Sequence, residues 1–128
     1  MKFYLASGFA NKDLVRSVSD KLKRLGHLHT YDWTRNERAL TVEDLQHIGK
    51  CEKDAIINSD VVIILLPGGK GSHVELGIAL GLRKRIILYS QDDVLNDIAE
   101  TTTFYHLPEV EKCSGDIEKL VDYVLALY

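Results

Sequence analysis

Hydrophobic and polar residues change their spacing along the chain, and these changes separate strand-like runs from helix-like runs. The runs Val61–Leu66 and Arg85–Tyr89 are almost continuously apolar, which is typical of parallel strands covered on both faces. The predicted strands are Phe3–Ala6, His27–Asp32, Val61–Leu66, Arg85–Tyr89 and an edge strand over Thr103–Leu107 that Pro108 ends.

Stretches with an apolar residue at every third or fourth position lie between the strands and predict amphipathic helices. They span residues 11–25, 41–59, 73–82 and from about 115 onward. The second begins at Thr41, where Thr41–Asp44 has the spacing of a capping box. The buried stripes of the first and last helices are Leu14, Val15, Val18, Leu22 and Leu25, and Ile117, Leu120, Val121, Val124 and Leu125.

Strands that alternate with amphipathic helices predict a parallel sheet with helices on both faces. We therefore expect an α/β fold, a three-layer α/β/α sandwich whose flavodoxin-like or Rossmann-like sheet has about five strands. No repeat, low-complexity segment or linker divides the sequence, so residues 1–128 are expected to form a single domain.

A glycine-rich segment, Pro67–His73, joins the third strand to the third helix, at the sheet edge where ligands bind in such folds. In the flavodoxin-like order, the loop that contains Gly8 lies beside it. These glycines permit close backbone approach, and free amides at Gly71, Ser72 and His73 would favour an anionic group such as phosphate. A tight turn without a ligand is the alternative. The spacing matches neither a dinucleotide fingerprint nor a Walker loop.

Glu75 follows this segment in the predicted first turn of the third helix. A helix N-terminus favours a charged carboxylate, and an ionised glutamate facing an oxocarbenium-like centre is what a retaining glycosyl transfer requires. Glu75 is therefore a candidate nucleophile at the sugar carbon of a glycosidic bond. The alternative is a capping box in which Glu75 bonds back to the amide of Ser72.

Retaining chemistry also needs a second acid, about 5 Å from the nucleophile. At roughly 100° per residue, Glu52 falls near the middle of the buried face of the second helix, and Asp54 falls roughly opposite. A carboxylate on a sheet-facing stripe is costly unless it is paired or used. Glu52 is thus the candidate acid, with an ion pair to a lysine or arginine as the alternative. The residues that define this face are Leu45, Ile48, Ala55 and Ile56.

Asp32 and Trp33 end the predicted second strand, at the same edge of the sheet. Trp33 could stack on a nucleobase while Asp32 bonds to its polar edge. A tryptophan that only covers the core is the alternative.

Composition and charge exclude several classes of protein. With 45% hydrophobic and 27% charged residues the chain is typical of a globular protein, and its net charge of −3 argues against nucleic acid as a partner. No apolar run approaches the ~18 residues of a membrane span, and we find no signal peptide, so we expect a cytoplasmic protein. Cys51 and Cys113 are isolated and the histidines lack ligand-like spacing, so we predict no metal or cofactor.

Three segments of the chain resemble the nucleoside 2-deoxyribosyltransferase superfamily. Phe3–Phe9 looks like that family's opening strand and loop, and Glu52–Ile63 resembles its approach to the third strand. Gly71–Ala79 resembles its G-T-x-x-E-L-G-x-A helix, the most specific of the three, with Glu75 at the nucleophile. Members of this family exchange bases between deoxynucleosides or hydrolyse nucleotide N-glycosidic bonds.

The resemblance implies roles for the candidate residues. Glu75 would attack the anomeric carbon and form a covalent glycosyl-enzyme intermediate, and Glu52 stands where the family usually has Asp. Tyr4 would lie close to the nucleophile. Ser7, Gly8 and Phe9 would border the sugar or phosphate. The resemblance further implies a small-molecule nucleoside or nucleotide as partner, and a homodimer.

One position departs from the family pattern. The transferases carry an aspartate six residues before the nucleophile, where this chain has Gly69, so protonation of the leaving base is left unassigned. Pro67–Glu75 also resembles the P-G-G-x-G-T-x-x-E motif of cytokinin-activating phosphoribohydrolases, which likewise cleave N-glycosidic bonds. The alternative function is a non-catalytic sensor that binds a nucleotide or ADP-ribose-like ligand through the same loops.

Overall fold

Five parallel strands form one sheet in the order β2-β1-β3-β4-β5 in the computed structural model, which describes residues 1–128. The strands are β1 (Lys2–Ser7), β2 (Leu28–His29), β3 (Val61–Leu65), β4 (Arg85–Ser90) and β5 (Val110–Ser114). The chain moves outward from β1 to β2 and then returns to β3 on the other side of β1. The reversal places a topological switch point between β1 and β3, as the predicted flavodoxin-like order requires.

Helices cover both faces of this sheet. The helices are α1 (Lys12–Arg24), α2 (Val42–Ile57), α3 (Lys70–Gly81) and α4 (Ile117–Ala126). α1 packs beside α4 on one face, and α2 beside α3 on the other. Every residue of β3 is buried, which explains its unbroken apolar sequence. The predicted three-layer α/β/α sandwich is confirmed. None of the helices has the length and apolar character needed to cross a membrane.

The last strand lies later in the chain than predicted. Thr103–His106 forms a short 3₁₀ helix, and the edge strand is β5, after Pro108. β5 buries only Val110 and Cys113 and carries exposed or half-buried polar residues between and after them. An edge strand of this composition looks like a loop in sequence, because few of its side chains need an apolar environment.

The second strand is shorter than predicted, and one helix stripe is narrower. β2 ends at His29, because the Asp32 carboxylate accepts from the Thr34 amide at 3.0 Å and caps a short 3₁₀ helix over Trp33–Arg35. Asp32 and Trp33 therefore lie beyond the strand they were expected to end. Leu25, predicted on the buried stripe of α1, is 53% exposed because the helix ends at Arg24.

His29 gives the fold a pH-dependent element at the edge of the sheet. Its ring stacks on Phe3 with centroids 4.8 Å apart, and its Nδ1 lies 2.9 Å from the Ser19 hydroxyl oxygen. Its Nε2 is buried without a partner. Burial lowers the pKa of His29 to about 4, with Asp32 acting in the opposite direction and Lys23 in the same one.

We expect the contribution of His29 to stability to fall as the pH drops from about 6.5 to about 4, because in that window the unfolded chain protonates His29 and the folded chain does not. Urea unfolding of the wild type and of His29→Phe at pH 7, 5.5 and 4.5 measures this. As the pH drops, the free energy of unfolding of the wild type should decrease relative to that of His29→Phe. Equal pH dependence in the two proteins would contradict the assignment to His29.

Candidate active site

Glu75 lies in the second turn of α3 and is 7% exposed. Its Oε2 accepts a hydrogen bond from the hydroxyl of Tyr4, a fully buried residue in the middle of β1. The bond connects a central strand to the helix that packs on it. Tyr4 and Glu75 are therefore brought together, as the family resemblance implied.

Glu52 completes a cluster of three side chains. It is half-buried on α2, the helix beside α3, and its carboxyl lies within hydrogen-bonding reach of the carboxyl of Glu75. No lysine or arginine forms an ion pair with it, so the alternative of a structural ion pair does not hold. The two acidic side chains, 23 positions apart in sequence, meet because α2 and α3 are neighbours on one face of the sheet.

The pKa values of the two carboxyls in this cluster are higher than the sequence led us to expect. The pKa of Glu75 is raised to about 8, chiefly by burial. The hydrogen bond from Tyr4 lowers this pKa, and the neighbouring Glu52 contributes to raising it. Burial also raises the pKa of Glu52. The expectation that a helix N-terminus keeps Glu75 ionised is wrong, because Glu75 lies beyond the first turn and desolvation outweighs the helix dipole.

Two carboxyls in direct contact share one proton near neutral pH, since both cannot carry a charge at such short range. The deeper burial of Glu75 places the proton there, and its O–H then donates to Glu52. The pKa of Tyr4 is raised strongly by burial and then by Glu75, so its hydroxyl remains a donor throughout the physiological range.

The capping-box alternative for Glu75 is wrong. α3 begins at Lys70 rather than His73, and the hydroxyl of Ser72 accepts from the Gly69 amide at 2.7 Å and donates to the Gly69 carbonyl at 2.9 Å. Ser72 thus closes the first turn itself and is only 3% exposed. Glu75 is left free of any capping role.

A cleft of about 640 Å³ opens beside Glu52. Leu45 and Ile48, predicted to face the core, line this cleft instead, and Leu45 is 61% exposed. The apolar stripe of α2 therefore covers the core near Ala55 and forms a cleft wall near its N-terminus. The lining residues are Phe9, Lys12, Trp33, Asn36, Glu37, Arg38, Ala39, Leu45, Ile48 and Glu52.

Phe9 and Trp33 give the cleft an aromatic wall. Trp33 is 9% exposed and its Nε1 donates to the Leu5 carbonyl at 2.7 Å, which fixes the indole. The Phe9 ring lies 6.3 Å from that of Trp33, with the Lys12 ammonium 4.0 Å from the Phe9 ring centroid. Phe9 is 74% exposed, so an open aromatic surface is available to a planar ligand.

The loops after β1 and β3 are in direct contact. The Gly8 amide donates to the Pro67 carbonyl at 3.0 Å, and a Cβ on Gly8 would lie 2.8 Å from that oxygen. The Ser7 hydroxyl donates to the Leu65 carbonyl at 2.6 Å. Ser7 and Gly8 therefore hold the two loops together. The sequence predicted that these loops lie side by side.

The start of α3 leaves three amides without an acceptor in the protein, those of Lys70, Gly71 and Ser72. The amide of His73, predicted to be free, donates to the Gly69 carbonyl at 3.2 Å. A Cβ on Gly71 would meet nothing within 4 Å, so the space around Gly71 is open. Gly69 is the N-cap residue of this helix.

Some predicted and observed site residues differ. Asp32 does not line the cleft, and its carboxylate is engaged by Thr34 and Arg35. Conversely, residues 36–39 line the cleft although their sequence indicates only a polar connection. Lys12 was identifiable only as part of a helix. No sequence signal marked residues 36–39, because their position depends on how the loop packs against α2.

Comparisons with known proteins match this chain to one family. The family model described as Nucleoside 2-deoxyribosyltransferase matches residues 3–114. A search of curated proteins finds no match.

Several solved structures share the fold. The CMP N-glycosidase BcmB of Clostridium botulinum is 18% identical with a TM-score of 0.65, over 97% of this chain and 98% of that one. A conserved protein from Enterococcus faecalis V583 is 17% identical with a TM-score of 0.71, over 100% and 99%. The 2-deoxyribosyltransferase from Bacillus psychrosaccharolyticus is 21% identical with a TM-score of 0.65, over 99% and 95%. At these identities the likeness shows the fold.

We expect Glu75→Gln to raise the Tm relative to the wild type by more at pH 8 than at pH 4.5. Between the ordinary pKa of 4.5 and the raised value of about 8, the unfolded chain ionises Glu75 while the folded chain keeps it protonated, so wild-type stability is lost as the pH rises. Glutamine cannot ionise, and its amide can still bond to both neighbours. Calorimetric Tm values at the two pH values measure this, and a Tm difference independent of pH would contradict the raised pKa.

Proposed function

Because the chain belongs to the nucleoside 2-deoxyribosyltransferase family, we propose that it cleaves or transfers at the N-glycosidic bond of a (deoxy)nucleoside or nucleoside 5′-monophosphate. The observation that carries this proposal is the hydrogen-bonded pair of Glu75 and Glu52 beside the cleft, with Tyr4 as a third member. It supplies a nucleophile and an acid side by side, the two groups that a retaining glycosidic reaction uses.

The first step forms a glycosyl-enzyme ester. The shared proton shifts from Glu75 to Glu52 along their hydrogen bond, and Tyr4 stabilises the carboxylate that remains. Glu75 then attacks the anomeric carbon while the bond to the base breaks, and its electron pair goes to the base nitrogen. Glu52 gives that nitrogen its proton, so the base leaves as a neutral molecule. Glu52 in this role supplies the acid that Gly69 does not.

The second step releases the sugar. Glu52, now a carboxylate, takes a proton from water or from the N–H of a second base, and that molecule attacks the anomeric carbon. Glu75 leaves as a carboxylate, and the pair again holds one proton. Water as the acceptor makes the protein a hydrolase, and a base makes it a transferase.

The cleft and the start of α3, which the segment after β1 connects, suit different parts of the substrate. Phe9 and Trp33 provide the surface on which the base stacks. The free amides of Gly71 and Ser72 at the start of α3 suit the sugar or a 5′-phosphate. Ser7, Gly8 and Gly69 set the position of these amides. We further expect a homodimer in the cytoplasm, with small molecules and not nucleic acid as its partners.

Base release is the decisive measurement for this proposal. Pure protein is incubated with a panel of nucleosides and 5′-monophosphates, with and without a second base, and free base is separated by chromatography. We expect Glu75→Gln to lower release at least ~1,000-fold, because the nucleophile is lost. Mass spectrometry of quenched wild-type reactions should show a sugar attached to Glu75. Release that persists in Glu75→Gln would remove Glu75 from its role, and ligand binding without release by the wild type would favour the sensor.

Glu52 and Asp54 form a matched pair for testing the acid. They lie two residues apart on α2, Glu52 in the cleft and Asp54 exposed outside it. We expect Glu52→Gln to lower base release about 100-fold because the leaving base is no longer protonated. Asp54→Asn should retain wild-type rates in the same assay. Equal rates for Glu52→Gln and the wild type would show that another group protonates the base.

A further inference from the structure

Asn36 carries the only amide side chain that lines the cleft, and it lies on the wall formed by residues 36–39. Asn36 is half-buried and lines the same cleft as Glu52 and the aromatic pair. Its neighbours on this wall, Glu37 and Arg38, are exposed. A half-buried amide in a ligand cleft is a means of distinguishing substrates if its orientation is fixed.

Tyr31 fixes that orientation. Its hydroxyl donates to Oδ1 of Asn36 at 2.7 Å, and burial raises the pKa of Tyr31, so the hydroxyl keeps its proton at neutral pH. Nδ2 of Asn36 has no acceptor in the protein, and the hydrogen bond of this side chain is the one from Tyr31 to Oδ1. Because the amide oxygen is engaged by Tyr31, the amide offers the cleft N–H donors.

We propose that Asn36 selects substrates whose base carries a ring carbonyl oxygen, by donating a hydrogen bond from Nδ2 to that oxygen. The inference rests on the proposed function and narrows its substrate class. Pyrimidines, hypoxanthine and guanine present such an oxygen. Adenine has no carbonyl oxygen and carries an amino group where hypoxanthine has its oxygen. That amino group and Nδ2 of Asn36 are both donors, so neither would be satisfied by the other.

The purines hypoxanthine and adenine allow the sharpest test, since they have the same ring system and differ at this group. Rates of base release from 2′-deoxyinosine and 2′-deoxyadenosine, and from their 5′-monophosphates, give kcat/KM for each. We expect the wild type to favour hypoxanthine by about tenfold or more. Asn36→Ala should remove this preference, and Asn36→Asp, which presents an acceptor, should move it toward adenine.

Tyr31→Phe tests the orienting bond separately. Without the hydroxyl, the Asn36 amide can rotate and present either its oxygen or its nitrogen, so the hypoxanthine preference should fall. The same change in an Asn36→Ala background should have no further effect on the preference. Asn58→Asp, at the end of α2 and outside the cleft, is the matched control for the change from amide to carboxylate and should leave the ratio unchanged.

The outcomes separate this inference from the proposed function. Base release with a purine ratio that Asn36→Ala does not alter, or with adenine favoured by the wild type, overturns the role of Asn36 and leaves the function standing. If only pyrimidine substrates react, Asn36→Ala and Tyr31→Phe must each lower kcat/KM several-fold, and unchanged values overturn the role. No release from any substrate overturns both.

Discussion

The interior position of Glu75 is the constraint on which the rest of the site depends. A carboxyl taken out of water needs hydrogen-bond partners, and here they come from two other elements, Tyr4 on β1 and Glu52 on α2. The three side chains therefore tie together a central strand and both helices on one face of the sheet. The same desolvation that makes this arrangement costly also leaves one proton between two acids, which is the condition that acid and nucleophile chemistry uses.

Parallel topology explains why these groups meet. All five strands point the same way, so the segments after β1 and β3 emerge at one edge and lie side by side at the switch point. The glycine turn, the start of α3 and the aromatic wall all lie at that edge. The cleft is completed by α2, whose first half turns its apolar stripe toward the ligand space rather than toward the sheet.

Features set by local periodicity were predictable from the sequence, and features set by tertiary neighbours were not. The helical period placed Glu52 on an inward face, and the strand and turn order placed Glu75 at the sheet edge, so their meeting followed. The position of β5 did not follow, because a half-exposed edge strand needs few apolar residues. The role of Asn36 was also hidden, since it arises from a hydrogen bond to Tyr31 and from loop packing that no spacing rule encodes.

The contact between Gly8 and Pro67 has a consequence for how the molecule can vary. With no room for a side chain between the two loops, their backbones behave as one part, although nearly sixty residues separate them in sequence. A change in the length or path of either loop alone would break the shared hydrogen bond and shift the start of α3. Grafting the glycine turn onto a related scaffold would thus require transplanting the segment after β1 with it.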